Sequence, residues 1–177
     1  MKAFYSFAAI AILAVASFGQ RELGAKPTKT GGPLAFEQAV FDVKDYNISI
    51  KADPKTRSIT GTTVMTAKAV IPSNVIVLDL DTPYKIESVT ENGQPLRYER
   101  KDGQIRIYFP YSKQDGETIR TKIVYSGTPR VAPRPPWVGG FMWEKTKDGA
   151  DWISVALQND GADLLFPCKD HPSDKPA

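Results

Sequence analysis

The sequence predicts an all-β fold in the form of an antiparallel β-sandwich, and three observations carry that prediction. Apolar residues alternate with polar ones along most of the chain, which is the spacing of strands with one buried face. Gly, Asn, Asp and Pro form turn signals about every eight to twelve residues, the interval expected between short strands. Beyond the N-terminal segment, no stretch carries apolar residues at the three- and four-residue spacing of an amphipathic helix.

The first two strands are predicted on either side of an Asp-Pro turn at 53–54. Tyr46, Ile48 and Ile50 alternate with polar residues before that turn. The strand after it is expected to bury one face. The members of that face are Ile59, Thr63, Met65, Ala67 and Ala69. The run 74–81 is almost continuously apolar, which is typical of a strand covered on both faces, and we expect it to be central.

Two dipeptides predict tight hairpins. Asn92-Gly93 and Asp102-Gly103 both accept the positive φ angles that a type I′ turn requires, and strand-like sequence flanks each of them. The apolar residues around the second turn are Leu96, Tyr98, Ile105, Ile107 and Phe109. A further alternating strand is predicted over 118–125.

Residues 128–137 contain four prolines and two arginines, which predicts an extended, polyproline-like segment. Such a segment can be a ligand for SH3-type domains, but a stiff surface connector between strands is the favoured interpretation. A last pair of strands is predicted over 139–143 and 151–157, joined by the Asp148-Gly149 turn.

The N-terminus has the pattern of a secretory signal peptide, assigned to residues 1–19. Lys2 supplies the positive n-region, an apolar h-region follows over 4–15, and Ser-Phe-Gly at 17–19 is a small-x-small cleavage pattern. This predicts a signal-peptide helix, a flexible leader over 20–35, and export to the periplasm or the extracellular space. An uncleaved anchor is the alternative, although the apolar run is shorter than the about 18 to 20 residues of a spanning helix. No later segment is expected to span a bilayer.

Composition and charge exclude several classes of function. The 177 residues suffice for one soluble domain, and a formal net charge of +3 with interspersed acidic and basic residues predicts no nucleic-acid surface. Cys168 is the only cysteine, so no disulfide can form within the chain. Cys168 and His171, the only histidine, are too few for a catalytic zinc site, and no nucleophile elbow or phosphate loop accompanies them. We therefore predict no catalytic residue, no metal ligand and no cofactor in this chain.

The C-terminal segment carries the most specific pattern in the sequence. The members of this motif are Phe166, Pro167, Cys168, Asp170, Pro172 and Lys175. Gln158 precedes the Phe-Pro-Cys run by eight residues. In this position after an all-β domain, the motif resembles that of the aminopeptidase N-like zinc peptidases, the gluzincins of family M1. Many members carry a basic pair where this chain has Asp163 and Leu164, so we expect a divergent branch.

The resemblance implies a domain order. In that family the motif closes a saddle-shaped N-terminal β domain, here 36–160, and a junction, here 161–177, leads into a thermolysin-like catalytic domain. The zinc ligands and the general-base Glu of the family would lie beyond residue 177. The chain is therefore expected to be a truncated N-terminal part of an exported zinc aminopeptidase, inactive alone, whose missing C-terminal catalytic domain is its partner.

The resemblance also implies residue roles. Gln158 matches the family position, Gln or Glu, that reaches into the active-site cleft and binds the N-terminal end of a peptide substrate. A side-chain carbonyl there can accept hydrogen bonds from an α-ammonium group. The six motif residues are expected to be structural: the prolines fix φ, Phe166 and Cys168 are buried, and Asp170 and Lys175 pair or cap. The longer protein would use a zinc-activated water to remove N-terminal residues from peptides.

A free-standing extracellular binding module is the alternative. Trp137, Trp143 and Trp152 would then form an exposed aromatic platform for a polysaccharide or a protein. Tryptophan in an all-β chain is more often buried, which favours the first interpretation.

Overall fold

The computed structural model describes residues 33–158 and 160–176, so the predicted signal peptide and most of the predicted leader lie outside it. Within these residues, one short helix, α1 (Phe36–Ala39), precedes ten strands. The strands are β1 (Phe41–Asp53), β2 (Ser58–Ala69), β3 (Ser73–Asp79), β4 (Tyr84–Glu91), β5 (Gln94–Pro95), β6 (Arg97–Lys101), β7 (Gln104–Lys113), β8 (Thr118–Gly127), β9 (Gly140–Lys145) and β10 (Asp151–Ala156). The predicted all-β class is confirmed. No helix in the described part is long and apolar enough to cross a bilayer.

The strands form three antiparallel sheets. The largest has the order β1-β2-β8-β4-β5, the second has the order β3-β7-β6, and β9 pairs with β10. Buried residues of the two larger sheets belong to one core, which includes Met65 and Ile123 from one sheet and Ile76 and Ile107 from the other. The hydrophobic faces of the two sheets are therefore buried together.

The alternation predicted in β2 is confirmed, because all five residues of its predicted inner face are buried. Gly61 lies in the same alternation, and a Cβ atom there would come within 2.1 Å of the Tyr125 ring. The missing side chain of Gly61 thus provides the space that the ring of β8 occupies.

Both predicted hairpin turns are confirmed. Asn92 and Gly93 have φ angles of 49° and 81°, and Asp102 and Gly103 have φ angles of 49° and 80°. Positive φ at both central residues is the signature of the type I′ turn, whose twist matches that of the strands. The pairing of Glu91 with Gln94 and of Lys101 with Gln104 closes the hairpins directly outside the turns.

The position predicted for the run 74–81 is wrong, whereas its burial is confirmed. β3 is an edge strand of the three-stranded sheet, since β7 is its sheet neighbour and β6 lies beyond β7. Its residues 76–79 are nevertheless all buried. The helix α1 packs beside β3, and the C-terminal segment bridges to Asp79. These two segments contact the strand where a second neighbouring strand was expected.

The connector between β8 and β9 is more than a surface crossing. Ala132 is buried, and its backbone nitrogen donates to the carbonyl of Phe141 at 3.0 Å. The predicted last strand pair is confirmed as β9 and β10. The expected burial of the tryptophans is wrong for Trp137 and Trp152, which are 53% and 56% exposed. Trp143 is half-buried and stacks on the ring of Phe141 at 5.5 Å between centroids.

Candidate functional site

Gln158 lies in a turn directly after β10. The backbone N–H groups of Asp160 and Gly161 donate to the carbonyl of Leu157 at 3.2 and 2.9 Å, so the backbone folds back on itself around Gln158. The side chain of Gln158 is exposed. A primary amide offers both a donor and an acceptor, so this group is available to another molecule.

Asp160 anchors the same turn through buried polar contacts. It is only 1% exposed, and one of its carboxylate oxygens accepts a hydrogen bond from the backbone nitrogen of Gly139 at 2.7 Å. Its other oxygen lies 3.4 Å from Nη1 of Arg130. A buried carboxylate requires such partners, because its charge is costly to remove from water.

Arg130 extends this network into the body of the domain. Its Nε donates to the carboxylate of Asp81 at 2.7 Å, and Asp81 is also buried. The backbone nitrogen of Asp81 donates to the carbonyl of Asp163 at 2.9 Å. The network therefore joins the turn of Gln158 to the residues that follow β3 and to the C-terminal segment.

Gly161 ends the turn in a conformation that favours glycine. Its φ is +92°, and a Cβ atom there would lie 2.0 Å from the carboxylate of Asp170. That carboxylate accepts a hydrogen bond from the backbone nitrogen of Ala162 at 3.2 Å, at the start of a 3-10 turn formed by Ala162–Leu164. Asp170 thus provides an acceptor for the first N–H group of this turn.

The Phe-Pro-Cys run seats the C-terminal segment on β3 and β1. The backbone nitrogen of Asp79 donates to the carbonyl of Cys168 at 2.6 Å, and that of Cys168 donates to Asp79 at 3.0 Å. Cys168 and Pro167 are buried, whereas Phe166, for which burial was predicted, is only half-buried. The rings of Phe166 and Tyr46 form a T-shaped pair with 5.5 Å between centroids. These contacts hold the C-terminal segment against both strands.

Two buried tyrosines fix the carbonyl groups just before this run. The hydroxyl of Tyr84 donates to the carbonyl of Leu164 at 2.6 Å, and that of Tyr125 donates to the carbonyl of Leu165 at 2.8 Å. Burial raises the pKa of Tyr84, and it raises the pKa of Tyr125 to about 12. Both hydroxyls therefore keep the proton that they donate at neutral pH.

The carboxylate of Asp79 accepts hydrogen bonds from three separate segments. It accepts from Nε2 of Gln38 at 2.7 Å, from Nε2 of Gln104 at 3.3 Å and from the backbone nitrogen of Asp170 at 3.1 Å. Burial raises the pKa of this carboxyl, and the hydrogen bonds oppose that shift. Asp79 thus joins α1, β7 and the C-terminal segment at one point.

A buried ion pair fastens the end of the segment to β1. Nζ of Lys169 lies 2.7 Å from the carboxylate of Asp174 and donates to the carbonyl of Phe41 at 2.7 Å. Asp174 also accepts from the backbone nitrogen of Val43 at 3.3 Å. Lys175, for which pairing or capping was predicted, is exposed, as is Pro172. The cation that is buried here belongs to Lys169 instead.

The described residues do not assemble a metal site. Among residues 33–158 and 160–176, no three His, Cys, Asp or Glu side chains are grouped so that they could hold a metal ion. His171 contacts its own loop, where its Nδ1 lies 2.7 Å from the hydroxyl of Ser173. Zinc therefore does not fit this part of the chain.

The sequence predicted the residues of the motif but not their partners. Asp160, Arg130 and Asp81 are far apart in the chain and carry no motif. The one available signal was the presence of two arginines, Arg130 and Arg134, in a connector that otherwise consists mainly of proline and apolar residues.

Three comparisons place this geometry among known proteins. No family profile matches the sequence. The chain is 29% identical over 90 residues to Tricorn protease-interacting factor F2 of Thermoplasma acidophilum, a match that covers 51% of this chain and 10% of that protein. It is 29% identical to the M1 zinc metallopeptidase of Deinococcus radiodurans, with a TM-score of 0.62 over 76% of this chain and 30% of that one.

Yeast LTA4 hydrolase in complex with bestatin has the same fold, with a TM-score of 0.63 and 20% identity over 82% of this chain and 24% of that one. The chain thus spans less than a third of each of these three relatives. The predicted resemblance to the M1 zinc metallopeptidases is confirmed, since this chain is similar in sequence and in fold to about 30% of the Deinococcus radiodurans enzyme.

Proposed function

We propose that the chain is the saddle-shaped N-terminal domain of an exported zinc aminopeptidase and that Gln158 binds the N-terminal end of the peptide substrate. The observation that carries this proposal is that one turn contains both Gln158, whose side chain is exposed, and Asp160, whose side chain is buried and hydrogen-bonded. A related enzyme supports it, since the M1 zinc metallopeptidase of Deinococcus radiodurans has been solved with a Tyr-Ser-Ala substrate bound.

The amide of Gln158 suits the recognition of a free amino terminus. Its carbonyl oxygen accepts a hydrogen bond from an α-ammonium group, and hydrogen bonds to a charged donor contribute about 1.5–3 kcal/mol. An acetylated peptide lacks that charge. The chain would therefore contribute binding and orientation of peptides with a free N-terminus.

Zinc and hydrolysis belong, in this proposal, to a further domain of a longer protein. Among residues 33–158 and 160–176, no three potential ligands are grouped so that they could hold a metal ion, so the proposal assigns the binding of zinc to residues outside this described part. The longer protein should contain a His-Glu-x-x-His sequence and a further Glu after the junction, because those residues supply zinc ligands and a general base in this class of peptidase.

The experiment compares residues 1–177 with the longer polypeptide read from the same gene. Both are purified and assayed for bound zinc and for hydrolysis of L-leucine p-nitroanilide. We expect zinc and activity in the longer protein alone. An active, zinc-containing preparation of residues 1–177, or a gene that stops without the zinc-binding sequence, would overturn the proposal.

Export is part of the same proposal, and it rests on the sequence of residues 1–19. N-terminal sequencing of the protein recovered from the periplasm or the medium should begin shortly after residue 19, or after residue 16, where Ala-Val-Ala at 14–16 is a second small-x-small pattern. A protein that retains Met1 in the cytosol would refute export without affecting the role of Gln158.

A second candidate function, the binding module, has one observation in its favour. Trp137 and Trp152 expose more than half of their surface, and Trp152 lies opposite Glu144 on the β9–β10 pair. Quenching of tryptophan fluorescence by iodide separates the candidates. A polysaccharide that protects both indoles in residues 1–177 would favour the module, whereas protection in the longer protein without any ligand would favour burial of both indoles by the further domain.

A further inference from the structure

We propose that Asp160 is a positioning residue for Gln158, an inference that rests on the proposed role of Gln158 in binding substrate. The two residues share one turn, but Gln158 is exposed and Asp160 is 1% exposed. Both carboxylate oxygens of Asp160 have partners, Gly139 at 2.7 Å and Arg130 at 3.4 Å. Because Gln158 and Asp160 belong to the same turn, the two contacts of Asp160 restrain the backbone from which the Gln158 side chain extends.

The contacts of Asp160 lead to rigid parts of the domain. Gly139 directly precedes β9, which pairs with the strand that ends just before Gln158. The carbonyl of Arg130 accepts from the backbone nitrogen of Phe141 at 2.9 Å, and its guanidinium reaches the buried Asp81. Asp160 therefore ties the turn of Gln158 to a sheet and to the core at the same time.

The space around Asp160 leaves little room for a second arrangement. A Cβ atom on Gly139 would lie 2.8 Å from the Asp160 carboxylate, 2.6 Å from the carbonyl oxygen of Ala156 and 3.0 Å from Cδ1 of Leu164. The backbone of Gly139 can approach the carboxylate this closely because it carries no side chain. A displaced turn would lose this hydrogen bond rather than adjust it.

Stability alone does not account for a carboxylate at this place. Apolar side chains that replaced Asp160, Arg130 and Asp81 together could fill the same space without the cost of removing charges from water. A buried charged network, by contrast, permits one conformation because other arrangements leave charges unpaired. A single conformation is what a turn that presents a substrate-binding amide requires.

The first test is ¹⁵N relaxation of residues 1–177, read at the backbone and side-chain amides of Gln158. We expect a backbone order parameter near about 0.85 in the wild type and a fall towards about 0.6 in Asp160→Ala. Asp160→Asn should lie between them, because its amide oxygen still accepts from Gly139 while the charge facing Arg130 is lost.

Asp174→Ala is the matched control. The side chain of Asp174 is also a buried carboxylate with two kinds of partner, the backbone nitrogen of Val43 at 3.3 Å and Nζ of Lys169 at 2.7 Å. These contacts stabilise β1 and the C-terminal segment instead of the turn of Gln158. The control should lower the unfolding midpoint and leave the order of Gln158 unchanged. Unchanged order in the Asp160 variants, or an equal fall in the control, overturns the proposal. If Asp160→Ala does not fold, Asp160→Asn and Arg130→Gln decide by the same criterion.

The second test is a double-mutant cycle in the longer protein. Gln158→Ala should raise KM for a peptide about tenfold or more. Asp160→Asn should also raise KM, but by no more than Gln158→Ala does. In the Gln158→Ala background, Asp160→Asn should leave KM unchanged, and full additivity would contradict positioning. If Gln158→Ala alone leaves KM unchanged, the proposed function fails, while the relaxation experiment still decides whether Asp160 orders the turn.

Discussion

The hydroxyl of Tyr125, in the middle of the larger sheet, donates to the carbonyl of Leu165, 40 residues later, at 2.8 Å. This bond fixes the backbone immediately before the Phe-Pro-Cys run. Tyr125→Phe keeps the ring and leaves the carbonyl without this donor, so we expect a loss of about 1 kcal/mol or more in the free energy of unfolding. Urea unfolding measures it. Tyr111→Phe, at a 59% exposed position, is the control and should change stability by less than about 0.5 kcal/mol.

Gly61 is expected to tolerate no side chain while Tyr125 is present. A Cβ atom would lie 2.1 Å from Cζ of the tyrosine and 2.3 Å from its hydroxyl oxygen. Because the ring is buried and cannot move aside, Gly61→Ala should cost about 3 kcal/mol or more. In a Tyr125→Leu background the same change should cost much less. Equal costs in the two backgrounds, measured by urea unfolding, would refute the steric explanation.

The prediction of the fold from sequence succeeded wherever the signal was local. Alternation identified β2, and the two Asn-Gly and Asp-Gly turns identified their hairpins, because burial of one face and positive φ are properties of neighbouring residues. The place of β3 at a sheet edge was not predictable in this way. Its burial comes from Gln38 and the segment around Cys168, which lie far away in the sequence.

In the candidate site too, features with a local sequence signal were predictable and features that depend on distant residues were not. Gln158 and the motif could be recognised because their spacing is fixed along the chain. Asp160 could not, since its partners Gly139 and Arg130 reach it only through the fold. Lys169 and Asp174 form the buried pair, although the neighbouring Asp170 and Lys175 were the residues that the motif pointed to. Spacing alone does not show which of two adjacent side chains points inward.

The stabilising contribution of Asp79 should fall as the pH rises through the pKa that its carboxyl group has in the folded state. Burial raises that pKa above the ordinary value of 3.8, so the folded state holds the proton to a higher pH than the unfolded state. The contribution of this carboxyl group to the free energy of unfolding is complete at a pH below its pKa in the unfolded state. It is lost as the pH rises through its pKa in the folded state. The unfolding free energy of the wild type minus that of Asp79→Asn should therefore shrink between pH 4 and pH 7.

Glu37 provides a control of opposite sign. Its hydrogen bond from Arg106 lowers the pKa of this carboxyl, so its contribution is present at neutral pH and is lost as the pH falls. The difference between wild type and Glu37→Gln should thus grow towards pH 7. Carbon-13 NMR titration of both carboxyl groups checks the direction, and an Asp79 that titrates at or below 3.8 would contradict the prediction.

The Lys169–Asp174 pair should be strongly coupled. Both side chains are at most 6% exposed, so removing one partner leaves a buried charge, and each of Lys169→Met and Asp174→Leu should cost about 3 kcal/mol or more. The double variant should cost less than the sum. The pair of Lys145 and Asp151 has a similar distance, 2.6 Å, but is exposed, and its cycle should give less than about 1 kcal/mol. Equal coupling energies in the two cycles would count against the role of burial.

The charge at position 158 should set how tightly a free amino terminus is bound in the longer protein. Gln158→Glu replaces the amide by a carboxylate, which accepts a stronger hydrogen bond from an α-ammonium group, so KM for a free peptide should fall. Gln158→Leu removes the acceptor and should raise KM about tenfold. Since the side chain is exposed, neither change should move the unfolding midpoint appreciably. The discriminating measurement is the inhibition constant of an N-acetylated peptide, which lacks the α-ammonium group and should not bind more tightly to Gln158→Glu. Tighter binding of both free and acetylated peptides would show that position 158 acts on some other part of the substrate.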